Sequence, residues 1–441
     1  VVVTTGQQPG LFGGPVYTWS KALGALAFAD ALESATGVPT AAVFWAATDD
    51  ADFAEASSTM VARTGGVDLL RASLAPPAGT PMALAPVGDL RAQLALLAGA
   101  AGSGSDSRAL DAARAAYGDP TRTIGAAYVM LLRRLLGPLG IPVLDASHPA
   151  VVSSAMPTID RAMRRAVEIE SALRDRSKDI RQAGHAPQVE DMPGQSLVFA
   201  RTDGIKRRLS VKEATTTAPD VAPCTPNVLL RPIVEREILP TVAYLAGPGE
   251  LAYFAQVTAV ASAMEVDAPL ALPRWSCTLL EPHIAAALQR LGLQRDAFDT
   301  PHTAERLATR AAMSDETAAG LSSLRGVIDR LPDSLGAEPA ALGLDRATDG
   351  ARQALQRRVD RLERRLLAGI ARRDGDRMRD VATIRAALAP HGQRQERAIN
   401  LLPILARHGL DLLTEMRDAA GEHARALVSA SASDASPLTV A

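Results

Sequence analysis

A chain of 441 residues is too long for one ordinary hydrophobic core, so two or three packed units are expected. With 47% apolar and 22% charged residues it has the balance of a folded protein, which excludes a mainly disordered chain. A formal net charge of −2 offers no global field for nucleic acid or an anionic membrane, so neither partner is expected.

Cys224 and Cys277 are the only cysteines, too few for a disulfide framework or a four-cysteine zinc site. A reducing, cytoplasmic setting fits them, and no apolar run approaches the roughly 20 residues that cross a bilayer. Only four of the 47 basic residues are lysines, Lys21, Lys178, Lys206 and Lys212, so a lysine inside a motif carries weight.

The opening reads as strand, loop and helix. Val1–Thr4 is a β-branched run, residues 5–15 are rich in glycine and proline, and a helical period follows through Val16, Trp19, Leu23 and Leu26. A buried strand at Ala41–Ala47 ends in Thr48, Asp49 and Asp50. That succession is the βαβ signature of an open parallel sheet. Residues 60–115 look alanine-rich and helical in patches, with Gly/Ser loops near Gly99–Ser105. A helix is expected at Ile124–Leu136, a strand ending at Asp145, and a charged amphipathic helix at 158–180. Strands are expected again at 196–200, 206–211, 227–230, 241–245 and 270–272. From about Ser314, Leu355, Val359, Leu362, Leu366 and Ile370 form a heptad-like seam, continued at Met378, Val381, Ile384 and Leu388 and interrupted by Gly375.

Three junctions carry candidate chemistry. In the first, Gly6, Gln7, Gln8, Gly13, Gly14, Tyr17, Thr18 and Lys21 could hold an anion, because glycines let backbone amides approach it and the helix start favours it. The spacing matches neither a Walker A loop nor a dinucleotide fingerprint, and a tight turn that only permits helix–sheet packing suits the glycines too. In the second, Asp49, Asp50 and Asp52 crowd together after a strand, as carboxylates do around a cation or an amine. Asp52 also suits a helix cap with Glu55 three residues on. In the third, Gly247, Gly249, Glu250 and Tyr253 follow a strand, with Glu250 as a base or amine holder, or a charge favoured by the helix dipole. Asn227, Arg231 and Arg274 lie at strand ends where arginines grip carboxylates or phosphates, though surface pairing is as common. Seven histidines show no metal-binding spacing, so no protein-built metal site is expected.

Taken together, these segments resemble the bacillithiol-biosynthesis cysteine-adding enzyme family, BshC. Five blocks in order carry the resemblance: TGQQPGLFGGPVYTWSK, FWAATDDADF, PNVLLRPIVEREILPTVAYLAGPGELAYFAQV, LPRWSCTLLEP and QRQERAINLLPILARHGLDLL. The resemblance implies an α/β fold with a Rossmann-like, nucleotidyltransferase-like parallel sheet, connecting insertions and a C-terminal α-helical coiled-coil domain that forms a homodimer. Mapped here, the core occupies 1–157 and 226–313, a connecting insertion 158–225, and the coiled coil with helices returning to the core 314–441. It also implies a ligase that joins cysteine to glucosaminyl-malate to complete bacillithiol, with a bound nucleotide, ATP or ADP, near the coiled coil. Two departures stand out. Ala51 replaces the histidine usual between the aspartates, and the chain starts at the first motif strand, where a helical lead-in is either cut away or was never present.

On this reading the first loop and Lys21 hold phosphate or malyl carboxylates, Asp49, Asp50 and Glu250 hold or deprotonate an amine, and Arg231 and Arg274 bind carboxylate. Two rivals remain at this stage: a nucleotide-dependent adenylating transferase of another pathway, and a non-catalytic dimeric scaffold.

Overall fold

The structure, a computed structural model, describes residues 1–102, 106–217 and 223–433. The described strands are β1 (Val2–Gln7), β2 (Ala41–Ala46), β3 (Ser58–Arg63), β4 (Gly66–Arg71), β5 (Val143–Asp145), β6 (Gln195–Thr202), β7 (Ile205–Ser210), β8 (Cys224–Pro226), β9 (Thr241–Ala246) and β10 (Leu270–Pro273). Five of them form an all-parallel sheet in the order β10-β9-β1-β2-β5. The α/β expectation is met.

Strand order explains where a ligand can sit. The chain leaves β1 toward β2 on one side, and later adds β9 and β10 on the other. The β1/β9 border is therefore the topological switch point, where loops diverge and open a crevice beyond the strand C-termini. β1 is buried along nearly its whole length, as a central parallel strand must be. The helix Val16–Thr36 is apolar on most of its surface because it is covered twice. One side meets the sheet, and the other meets the last helix, Asp411–Ser433, through Phe28, Ala420 and Ala424.

The loop after β1 is fixed by its own packing. Gly6 sits so close to β2 that a Cβ there would meet the Trp45 carbonyl oxygen at 2.7 Å. Phe12, Gly13 and Gly14 all take positive φ, at 52°, 85° and 74°. The amide of the fully buried Asn400 donates to the carbonyls of Leu11, Phe12 and Gly14, at 3.3, 3.0 and 3.2 Å. Residues near the end of the chain thus clamp the loop near its beginning.

The chain folds as two compact units. One holds Val1–Val61, Leu69–Cys277 and the residues from Glu396 onward, and the other holds Ala62–Asp68 and Thr278–Gln395. Residues 278–313, mapped to the core on the resemblance, belong to the helical unit instead. Ile284, Leu288 and Leu291 of the helix Pro282–Leu291 bury against Val381, Ile384 and Leu388. The seam is also not one helix. Asp374 ends Asp345–Arg373 and caps the amide of Arg377, and a second helix runs Gly375–Leu388. Val359, Leu366 and Ile370 pack on Met313, Leu321 and Ile328 within the same unit.

Other elements differ locally. Residues 58–71 pair as β3 and β4 rather than forming helix, since the surrounding alanines obscure their β-branched, alternating pattern. The stretch 158–180 is split at Arg165 between helices Pro149–Arg164 and Ala166–Gln182. Residues 227–230 are a turn, because the Asn227 side chain accepts from the amides of Leu229 and Leu230, leading into the helix Arg231–Ile238. Of the loop expected at Gly99–Ser105, residues 103–105 lie outside the described residues, as do 218–222 of the insertion and 434–441 at the end.

Replacing Asn400 by leucine should lower the unfolding free energy by about 3 kcal/mol, since it leaves buried carbonyls without a donor. Urea unfolding of the full chain checks this, and an unshifted midpoint would contradict the clamp.

Candidate active site

A cleft of about 520 Å³ lies in the first unit at the C-terminal edge of the sheet. β1 and its loop bring Gly6, Gln7 and Gln8, and the following helix brings Tyr17 and Lys21. Gly247, Gly249, Glu250 and Tyr253 come from the turn and helix after β9, Arg231 from the helix before it, and Arg274 from the end of β10. Asp50, Glu55, Gln188, Val228, Pro248 and Arg397 complete the wall. Gln7 and Glu250, far apart in the chain, therefore face the same space.

At the floor lies a buried ion pair. Lys21 Nζ is 2.5 Å from Glu250 Oε2, and it also donates to the Gly6 carbonyl at 2.8 Å and to Gln7 Oε1 at 3.1 Å. Tyr244 donates to Glu250 Oε1 at 2.8 Å, and the Gly247 amide to Oε2 at 2.7 Å. Burial would raise the Glu250 carboxyl, but the adjacent ammonium and these donors outweigh it and hold the group below the usual carboxylate range. Burial pulls Lys21 below its ordinary value while Glu250 opposes it. Three acceptors match the three ammonium protons, so we take the pair as ionised at neutral pH. Glu250 is then a poor base, and Lys21 has no proton left for a ligand.

Arg274 is also committed. Both its terminal nitrogens reach Glu396, each at 2.8 Å, and the pair is buried. Its guanidinium lies 5.7 Å from the centre of the Tyr17 ring. Arg231 is less fully engaged, with Tyr253 Oη at 3.3 Å and a Glu235 oxygen at 3.4 Å. Glu235, one helical turn on, has no exposed surface, and neither of its oxygens makes a hydrogen bond. Burial raises its carboxyl to about 7 against the pull of Arg231, with Thr4, Lys21 and Glu250 also facing it.

Several expected site residues fall elsewhere. Asp49 is tied to Lys206 of β7, whose ammonium contacts its carboxylate at 3.2 Å and its carbonyl at 2.7 Å. It does not line the cleft. Gly13, Gly14 and Thr18 face inward: a Cβ on Gly13 would meet the Trp19 ring at 2.7 Å, and one on Gly14 would meet Thr18 Oγ1 at 2.9 Å. Asn227 is spent on its turn. Glu55 caps no helix; it accepts from Tyr17 Oη at 2.8 Å and from Gln7 Nε2 at 2.9 Å.

Spacing along the chain does not single out Glu55, Arg397, Gln188 or Glu235. The distance of Glu55 from Asp52 suggests a capping pair, and Arg397 stands in a block whose pattern marks no site residue. Residues 1–275 match the family described as "Bacillithiol biosynthesis BshC, N-terminal Rossmann-like domain", and residues 277–425 match its "C-terminal coiled-coil domain". The chain belongs to the BshC family.

This chain covers about four fifths of the length of similar curated BshC proteins. One from Solibacter usitatus is 33% identical across 95% of this chain and 82% of its own. One from Koribacter versatilis is 32% identical over the same shares, and one from Geobacillus thermodenitrificans is 27% identical across 94% and 81%. Each carries the name "Putative cysteine ligase BshC". In this BshC chain, each of the five blocks quoted above sends at least one residue to the cleft wall: Lys21, Asp50, Arg231, Arg274 and Arg397.

A carboxyl whose folded value is raised from 4.5 to about 7 stabilises the fold fully only below pH 4.5, and that contribution is lost as pH rises through 7. Relative to wild type, Glu235→Gln should therefore gain roughly 3 kcal/mol between pH 4.5 and 7.5. Urea unfolding at a series of pH values reads this difference, and a flat difference would show that Glu235 does not titrate in that window.

Proposed function

We propose that this chain is a cysteine-adding ligase of bacillithiol biosynthesis that joins L-cysteine to glucosaminyl-malate through an amide bond. The observation that carries this reading is the convergence of all five blocks on one cleft at the sheet's switch point. Small polar substrates suit a cleft walled by arginines, carboxylates and amides. No helix among the described residues is long and apolar enough to cross a membrane.

The charge inventory assigns the parts. Lys21 and Glu250 neutralise each other, so they shape the floor and join the helix after β1 to the helix after β9. Arg231 remains able to take a malyl carboxylate, next to the N-terminus of the 17-residue helix Pro248–Met264, whose first-turn amides favour negative charge. Asp50 is half-buried, and its carboxylate accepts the Asp52 amide at 3.0 Å. It is the carboxylate we assign to the glucosaminide amine, which must lose a proton before its nitrogen can act as a nucleophile.

The nucleotide that the resemblance implies near the coiled coil is given no role in the cleft. In the first loop the Gly13 amide bonds the Gly10 carbonyl, that of Gly14 the Leu11 carbonyl and that of Val16 the Ile399 carbonyl, so these three are not open to a phosphate. The cleft is therefore assigned to the two substrates, with no step routed through a nucleotide.

We also propose a homodimer through the helical unit. Beside the buried seam, Leu355 and Leu362 of one helix and Leu324 and Val327 of its neighbour are exposed, at 39%, 48%, 45% and 59%. Such a stripe is left uncovered by the described residues of its own chain and fits a second copy. The double substitution Leu355→Glu, Leu362→Glu should convert a dimer to a monomer in analytical ultracentrifugation. A wild-type chain that sediments as a monomer would end this part of the reading.

Deletion in the source organism, followed by thiol profiling, tests the pathway: bacillithiol should disappear and glucosaminyl-malate accumulate, whereas an unchanged profile overturns the assignment. In the purified protein, Asp50→Asn should lower kcat about 100-fold. Arg231→Met should raise the KM for glucosaminyl-malate by about 10- to 100-fold with a smaller change in kcat.

A further inference from the structure

Two opposite charges in the cleft are left without an ionic partner, and both touch the same aromatic ring. Lys21 and Arg274 are saturated by Glu250 and Glu396, and Arg231 has Glu235 behind it. Arg397 differs. Among the described residues no carboxylate lies within ion-pair distance of it, and its guanidinium carbon sits 5.9 Å from the centre of the Tyr17 ring. On the anionic side, Glu55 meets only neutral donors among the described residues. Tyr17 Oη bonds one of its oxygens and Gln7 Nε2 the other.

The two do not neutralise each other, although Tyr17 joins them. Glu55 is held in place by the backbone, since its carbonyl accepts the Leu11 amide at 2.9 Å. Tyr17 is held by Gln7, which donates to its oxygen at 2.8 Å, and by Arg274 near its ring. A rigid phenol thus carries a cation near its face and an anion at its hydroxyl, with both charges on the wall of the cleft. A half-buried carboxylate without a cation is costly to keep, and the exposed Arg397 guanidinium is open to an incoming anion. A ligand bearing both charges a single carbon apart would satisfy both at once.

We propose that Arg397, Tyr17 and Glu55 form a subsite for a free α-amino acid, with Arg397 on its carboxylate and Glu55 on its ammonium. This rests on the ligase reading for the identity of the amino acid as cysteine, and it separates the cleft into two halves. Arg231 and Asp50 serve the glucosaminide, and the Tyr17 half serves the amino acid.

Isothermal titration of the full-length protein tests the subsite without turnover. L-Cysteine and L-alanine should both bind, whereas cysteamine, which lacks the carboxylate, and 3-mercaptopropionate, which lacks the ammonium, should bind at least tenfold more weakly. Arg397→Met and Glu55→Gln should each weaken L-cysteine binding tenfold or more and leave glucosaminyl-malate binding within twofold. Cysteamine binding as tightly as cysteine would overturn the subsite, and so would variants with wild-type affinity for cysteine. The ligand series on the wild-type protein decides the matter even where a variant folds poorly. A wild-type chain that binds glucosaminyl-malate but no amino acid also overturns the subsite. One that binds cysteine but not glucosaminyl-malate leaves the subsite standing and removes the ligase reading instead.

Discussion

The buried pair between Lys21 and Glu250 is the constraint on which the site depends. It joins the helix after β1 to the helix after β9, the two elements that diverge at the switch point of the sheet. Breaking such a pair by removing one partner leaves an uncompensated charge in the interior, a cost of about 3–5 kcal/mol. The surrounding groups are arranged accordingly: the Gly6 carbonyl, the Gln7 amide, the Tyr244 hydroxyl and the Gly247 amide all close on the two charges. Their saturation makes the floor of the cleft stiff and chemically quiet.

That quiet floor changes how the wall must be read. A lysine in a glycine-rich motif and a glutamate at a helix start look like ligand groups when taken singly. Once paired, they leave the chemistry to groups that the fold does not satisfy. Arg274 follows the same logic through Glu396, and Asp49 through Lys206. What remains is a small set of partly satisfied charges, Asp50, Glu55, Arg231 and Arg397, spread around one opening. On the proposed function, two carboxylates and two guanidiniums would serve two substrates that each carry an amine and at least one carboxylate.

The C-terminal residues give the cleft its last wall. Glu396, Arg397 and Asn400 return to the first unit after the helical unit has been made. Within a few positions they neutralise Arg274, present a guanidinium to the Tyr17 ring and clamp the glycine loop. The clamp from Asn400 is one reason why Gly13 and Gly14 serve packing instead of a ligand: it fixes the loop's carbonyls, and the amides of Gly13 and Gly14 are themselves bonded within the loop.

The local pattern was enough to establish a parallel α/β core, the strand–glycine–helix junctions at its edge and the change to helical character toward the C-terminus. Those features depend on neighbours in the chain: β-branched runs bury as central strands, and glycines permit the turns that follow them. Gly6, Gln7, Gln8, Tyr17, Lys21, Asp50, Arg231, Gly247, Gly249, Glu250, Tyr253 and Arg274 were legible as cleft residues for the same reason, since nearly all stand at the end of a strand or in the next helical turns. Which of them are free was decided only in three dimensions. Charge cancellation between Lys21 and Glu250, or between Arg274 and Glu396, joins residues far apart in the chain. Burial fixes whether a carboxylate such as Glu235 can hold its charge, and no spacing rule encodes the desolvation that tertiary packing imposes.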